Sequence, residues 1–125
     1  MRNFEVSVFP GLPDESEDIR FYGFAKQESG QIIGGIKACI FWNGIEVELL
    51  WVDSEYRRRG IASRLITEAE KMAIQHGAVV SYLKTVMARE FYERMGYSVY
   101  GVLEDRPIGS VLYHMKKKLV SVSNP

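Results

Sequence analysis

The sequence predicts a single α/β domain with a mixed, mostly antiparallel twisted sheet, one central parallel strand pair and flanking helices. Three observations predict it. Short alternating or β-branched runs recur before residue 53 and after residue 77. One amphipathic stripe of helical period lies between them, and Gly or Pro marks most junctions. At 125 residues the chain reads as one domain over 1–125, large enough to bury about two-thirds of its unfolded surface.

Phe4-Glu5-Val6-Ser7-Val8-Phe9 alternates apolar and polar residues, the period of a half-buried strand. Residues 10–18 form a turn-rich, acidic connection with room for one helical turn. Residues 19–26 and 32–42 read as two further strands joined through Glu28-Ser29-Gly30-Gln31. Asn43-Gly44 is a strong hairpin signal and leads into a strand over 45–52, giving three antiparallel strands in sequence. Ala62, Leu65, Ile66, Ala69, Met72 and Ala73 then share one helical face, opposite Arg64, Glu68, Lys71 and Gln75. Gly77, after His76, supplies the stop. Residues 78–83 read as a buried strand and 88–95 as a short helix stopped by Gly96. Closing strands over 97–102 and 111–119 flank the loop around Pro107. A crossover helix makes the strands before and after it parallel.

Composition narrows the function. Sixteen basic and sixteen acidic residues give zero net charge, against the basic excess expected of a general nucleic-acid binder. A single cysteine, Cys39, excludes an internal disulfide framework and suits a reducing cytosol. The first residues lack the apolar core of a secretion signal, and no apolar run reaches the ~18 residues of a membrane span. The expectation is a cytoplasmic protein with neither nucleic acid nor membrane as partner.

The most informative stretch is Tyr56-Arg57-Arg58-Arg59-Gly60-Ile61-Ala62-Ser63, placed where a strand feeds a helix. The first N–H groups of a helix have no internal partners, and the macrodipole adds about half a positive charge there. With Gly60 admitting close approach and Ala62 small, the turn is suited to a phosphate or pyrophosphate. Arg-x-x-Gly-x-Ala is also compatible with a plain solvated helix start. Neither Gly-x-x-x-x-Gly-Lys-Ser/Thr nor Gly-x-Gly-x-x-Gly is present.

Two ordered motifs carry a resemblance. Leu50-Trp51-Val52 precedes Arg57-Arg58-Arg59-Gly60-Ile61-Ala62, and Ala88-Arg89-Glu90-Phe91-Tyr92-Glu93-Arg94-Met95-Gly96-Tyr97 follows one helix and one strand later. Over about residues 32–119 the chain resembles the GNAT superfamily of acyl-CoA N-acyltransferases. That family's signatures are Arg/Gln-x-x-Gly-x-Gly/Ala and Ala-x-x-x-Tyr-x-x-x-Gly-Tyr/Phe. The resemblance implies a GNAT-like fold and acetyl-CoA as co-substrate. It implies a pyrophosphate seat on the amides from Arg58 to Ser63, with Arg57, Arg59, Gly60, Ile61 and Ala62 around it. It further implies a pantetheine arm paired with the backbone of Leu50, Trp51 and Val52. Ala88 and Tyr92 would flank the thioester. Thr85 stands near where many members place an asparagine.

An alkylamine of pKa near 10 is mostly protonated at neutral pH, so a base must take its proton before it attacks. Glu48, then Glu46, are the candidates, since both lie on the strand leading to the acyl site and alternation puts them on one face. A solvated polar face remains open for both. Tyr92 is the candidate donor to the departing thiolate, with a core aromatic as its structural alternative. Cys39 reads as a buried structural thiol, Trp42 and Trp51 as core ahead of the lining of an acceptor pocket, and 116–118 as a solvated strand end. His76 and His114 are isolated and make no metal site.

The family places one or two helices between its first two strands, where this chain has nine residues, 10–18. The resemblance therefore implies a shortened N-terminal helical region and a homodimer whose second subunit closes the site. The leading expectation is an N-acetyltransferase acting on a primary amine of a small molecule or peptide. An acyl-CoA-binding module without turnover and a cofactor-free interaction domain are the alternatives.

Overall fold

A computed structural model describes residues 4–12 and 18–120. The chain runs β1 (Phe4–Pro10), β2 (Ile19–Gln27), β3 (Ile32–Phe41), β4 (Gly44–Val52), α1 (Ile61–Gln75), β5 (Val80–Thr85), α2 (Arg89–Arg94), β6 (Ser98–Glu104) and β7 (Val111–Lys118). The seven strands form one sheet in the order β1-β2-β3-β4-β5-β7-β6. Only β4 and β5 are parallel; the other five pairings are antiparallel. The expected architecture is therefore present. Residues 13–17, within which the sequence left room for a helical turn, lie outside the described residues.

The apolar stripe of α1 builds the core. Ile61, Leu65, Ile66 and Ala69 pack on Ile33, Ile36, Val47, Leu83 and Met115, and Tyr92 and Tyr97 join the same cluster. Ala73 continues into a second cluster with Phe21, Ile40, Ile45, Ala78 and Leu119. Each fully buried Ile, Leu, Val or Met side chain among them contributes roughly 1.5–3 kcal/mol. The opposite sheet face carries Tyr22, Phe24, Lys37, Cys39, Glu46 and Tyr82, and no helix covers it among the described residues.

Three expectations change. The hairpin between β3 and β4 turns on Trp42 and Asn43, with Trp42 at φ 55°, while Gly44 already belongs to β4. A Cβ on Gly44 would lie 3.2 Å from Val80 Cγ1, so this glycine serves the close approach of β5. Strand β5 starts two residues later than expected, because the Ala78 amide is spent on Ala73 O (2.9 Å) in closing α1. It is buried on one face only, at Ser81 and Leu83. Trp42 and Trp51 are 83% and 40% exposed instead of core. Trp51 lies against β3, where a Cβ on Gly35 would meet its Nε1 at 2.6 Å.

Candidate active site

Between β4 and β5 the sheet parts. Their pairing covers only Gly44–Val47 against Val80–Leu83. Beyond it, Val47 faces Ala38 and Leu49 faces Lys37, so Glu48 is an extra residue in β4. Such a bulge bends its strand and increases local twist. The rest of β4 stays with β3 and leaves β5 behind. Asp53 N donates to Ile33 O at 2.8 Å. By antiparallel alternation Trp51 and Leu49 also bond toward β3, which leaves Leu50 and Val52 facing the open edge. Arg57 Nε donates to Val52 O there at 3.3 Å.

A 3-10 turn, Ser54–Tyr56, links this edge to α1, with Asp53 Oδ1 accepting from Glu55 N at 3.0 Å. The chain then passes through two left-handed residues, Arg58 (φ 64°) and Gly60 (φ 79°). A Cβ on Gly60 would meet nothing within 4 Å, so its conformation rather than space asks for glycine. The first α1 amide paired within the helix is Arg64 N, on Gly60 O at 3.0 Å. The amides of Ile61, Ala62 and Ser63 precede it. No side chain caps this end and no acidic residue stands in the first turn. A helix start of that kind is left available for an external anion.

The second wall is α2. Thr85 Oγ1 accepts from Ala88 N at 3.0 Å and starts the helix. Tyr92 is 7% exposed and lies edge-on to Phe91 (5.0 Å) and Tyr97 (5.6 Å). Burial pushes its phenol up to about 12. No buried side-chain polar atom among the described residues lacks a partner. Tyr92 Oη bonds to none of the side chains around it, and Tyr92 lines a cleft. That cleft, about 600 Å³, runs between the β4 edge, the start of α1 and α2.

The sequence-derived cofactor residues converge on it. Leu50, Trp51, Val52, Arg57, Arg58, Gly60, Ile61, Ala62, Ser63, Ala88 and Tyr92 all line it. Arg59 does not; its guanidinium lies over the Tyr56 ring at 5.1 Å. Thr85 is absent from the lining because its hydroxyl starts α2. Glu46 and Glu48 lie outside the lining too. Glu46 points to the uncovered face, 4.0 Å from Lys84 Nζ, and Glu48 sits exposed at the bulge beside the opening. Tyr56, Phe91 and Arg94 also line the cleft and escaped the sequence reading. Phe91 was findable, lying one helical turn after Ala88.

Other side chains settle differently. Cys39 is half-exposed on the open face, and partial burial followed by the Asp18 charge pushes its thiol up. His76 is held by Met72 O at 3.0 Å and by the Phe21 ring edge. Among the described residues no His, Cys, Asp or Glu cluster could hold a metal. Lys117 is not a solvated strand end: its Nζ donates to Glu70 Oε1 at 2.8 Å. Among the described residues no helix is long and apolar enough to cross a membrane.

Comparison with known proteins agrees with this geometry. The profile of the Acetyltransferase (GNAT) family matches residues 3–97. A blasticidin-S acetyltransferase from Streptomyces morookaense is 34% identical over 109 residues, 84% of this chain and 80% of that protein. The crystal structure of an acetyltransferase from Bacillus cereus superposes with a TM-score of 0.79 at 33% identity, over 86% of this chain and 80% of that one. A PaiA N-acetyltransferase from Thermoplasma acidophilum, solved in complex with coenzyme A, gives 0.68 at 27% identity, over 78% and 59%. This chain belongs to the GNAT family of acetyltransferases.

Proposed function

We propose that the protein transfers an acetyl group from acetyl-CoA to a primary amine of a small molecule or peptide, by direct attack in a ternary complex. The observation that carries this reading is the continuity of three features in one cleft. The uncapped amides of Ile61–Ser63, the β4 edge at Leu50 and Val52 that β5 leaves unpaired, and Tyr92 of α2 all line it. A diphosphate on the first turn of α1 aims the pantetheine arm along β4, whose Leu50 and Val52 groups match the arm's amides. The Leu50 N–H then polarises the thioester carbonyl, and a pre-aimed donor of this kind is worth about 3–4 kcal/mol of barrier.

The parting of β4 from β5 opens the cleft toward the face that bears Glu46 and Glu48. The amine enters from there, and Glu48 accepts its proton directly or through a water. Nitrogen bonds to the thioester carbon, the carbon–sulfur bond breaks, and an amide and a thiol result. Tyr92 donates to the departing sulfur. A phenol pushed up to about 12 is a weaker acid than a thiol of pKa about 8.5, so the proton stays on Tyr92. Tyr92 therefore stabilises the departing thiolate as a hydrogen-bond donor, and the sulfur takes its proton from water or from Glu48, which holds the proton of the amine. The uncovered sheet face favours a homodimer in which a second subunit supplies the missing acceptor wall. The lone Cys39 suits a reducing, cytoplasmic location.

The test is thiol release from acetyl-CoA against blasticidin S, kanamycin and spermidine, keeping the acceptor with the highest turnover. Tyr92→Phe should lower kcat about a hundredfold with acetyl-CoA affinity retained, the usual size for losing a hydrogen-bond donor to developing charge. Equal turnover removes Tyr92 from the reaction, and no thiol release with any acceptor removes the proposed reaction. Light scattering after size exclusion should return twice the chain mass at micromolar concentration; a monomer removes the dimer.

A further inference from the structure

Behind the cleft, a polar cluster joins α1, β5, β7 and the turn that follows α2. Glu70 of α1 is 8% exposed, and both of its carboxylate oxygens are occupied. Lys117 Nζ from β7 donates to Oε1 at 2.8 Å, and Tyr97 Oη donates to Oε2 at 2.8 Å. Ser81 Oγ of β5, fully buried, stands 2.7 Å from Tyr97 Oη. An ionised carboxylate only accepts, so the Tyr97 proton is committed to Glu70 and Ser81 donates to Tyr97. The order Ser81 to Tyr97 to Glu70 fixes the Tyr97 ring from its far end. Burial, then the Glu70 charge, pushes the Tyr97 phenol up and keeps it a donor.

The near end of Tyr97 holds Tyr92. The Tyr97 amide donates to Tyr92 O at 2.9 Å and that of Gly96 to Glu93 O at 3.1 Å, closing α2. Gly96 makes this possible at φ 98°, and a Cβ there would lie 3.2 Å from Lys117 Cε, a second constraint on the same corner. The Tyr97 and Tyr92 rings meet edge to face at 5.6 Å. Well-packed apolar groups commonly match a buried ion pair in stability, so stability alone does not call for this arrangement. Its geometry leads to one destination, the side chain at the cleft wall.

We propose that Tyr97, anchored by Glu70, Ser81 and Lys117, is a positioning residue that holds the Tyr92 hydroxyl at its working place beside the thioester sulfur. The proposal rests on the reading of Tyr92 as donor to that sulfur. Loss of the Tyr97 hydroxyl frees the ring and the end of α2, and a displacement of about 1 Å at the reacting group can cost up to a hundredfold in rate.

A double-mutant cycle tests it, with wild type, Tyr92→Phe, Tyr97→Phe and the double variant assayed using acetyl-CoA and the best acceptor of the panel. Tyr97→Phe should lower kcat about tenfold with KM for acetyl-CoA within twofold. In the Tyr92→Phe background the same change should cost less than twofold, because the group it positions is gone. Unchanged kcat in Tyr97→Phe, or the same tenfold loss in both backgrounds, overturns the proposal. Full turnover in Tyr92→Phe overturns the donor role itself and the clamp with it. A slow Tyr92→Phe with an additive Tyr97→Phe overturns the clamp alone. If Tyr97→Phe does not fold, Ser81→Ala takes its place in the cycle and is judged by the same outcomes.

Discussion

Ser63→Glu separates an anion seat from an ordinary helix start, because the two readings predict opposite consequences for ligand binding. Ser63 is the third residue of α1, after Gly60 as N-cap, and no acid now occupies that first turn. A glutamate there complements the helix dipole and can reach back to the N-cap amide, worth about 0.3–1 kcal/mol. The unliganded protein should therefore melt roughly 1–4 °C higher, at a few degrees per kcal/mol for a chain this size. Ser63 also lines the cleft. A carboxylate about 6 Å from a diphosphate bearing two charges, at an effective dielectric of about 40, opposes it by roughly 3 kcal/mol. Salt screening reduces this to about 2 kcal/mol, or roughly thirtyfold in dissociation constant. Calorimetric titration of acetyl-CoA should show that loss, shrinking as salt rises. A variant that is stabilised yet binds acetyl-CoA within twofold of wild type would refute the seat at α1.

Three further outcomes follow from individual contacts. Tyr92 has a folded value near 12 against about 10 unfolded, so its stabilisation is complete below pH 10 and is lost as pH rises toward 12. The loss should amount to about 2 kcal/mol or less by urea titration, and Tyr92→Phe should flatten that alkaline slope. Glu48→Gln should lower kcat more than Glu46→Gln, since Glu46 already faces Lys84; equal effects in steady-state assays would leave Glu48 no special role. Gly23→Ala should destabilise by about 1–3 kcal/mol in chemical denaturation, its new methyl meeting Val8 Cγ2 at 2.7 Å and Ile36 Cγ2 at 2.8 Å.

What the sequence revealed was local, and what it hid was not. The α1 stripe, the Gly60 turn and the Ala88–Tyr92 spacing are written within single elements, so periodicity found the helix and the two motifs, through the family they resemble, named residues that line one cleft. Glu70 and Lys117 are 47 residues apart, and nothing in either neighbourhood marks a pair; Lys117 sits in a run of three lysines that reads as solvent-facing. Arg94 and Tyr56 line the cleft only because α2 and the 3-10 turn come to face one another. The tryptophans misled for a related reason. Their size argues for burial, but Trp42 sits in the β3–β4 turn and Trp51 on the sheet face that no helix covers among the described residues, placements set by the whole sheet.

The bulge at Glu48 shows how a single inserted residue can create the cleft. Up to Val47 the β4 edge is committed to β5, where Gly44 gives room for Val80 to come close. One residue later β4 bends with β3 and away from β5, and the register with β3 slips between Lys37 and Ala38. The same insertion releases the Leu50 and Val52 groups, opens the passage to the uncovered face, and leaves Glu48 at its mouth. An unbulged β4 would keep pairing with β5 and would have no free edge to offer. Deleting Glu48 should therefore restore an even ladder and abolish acetyl-CoA binding, measured by calorimetry, while the circular dichroism spectrum keeps its strand signal. Retained binding in the deletion variant would mean that the splay of β4 and β5 arises from α1 and α2 and not from the bulge.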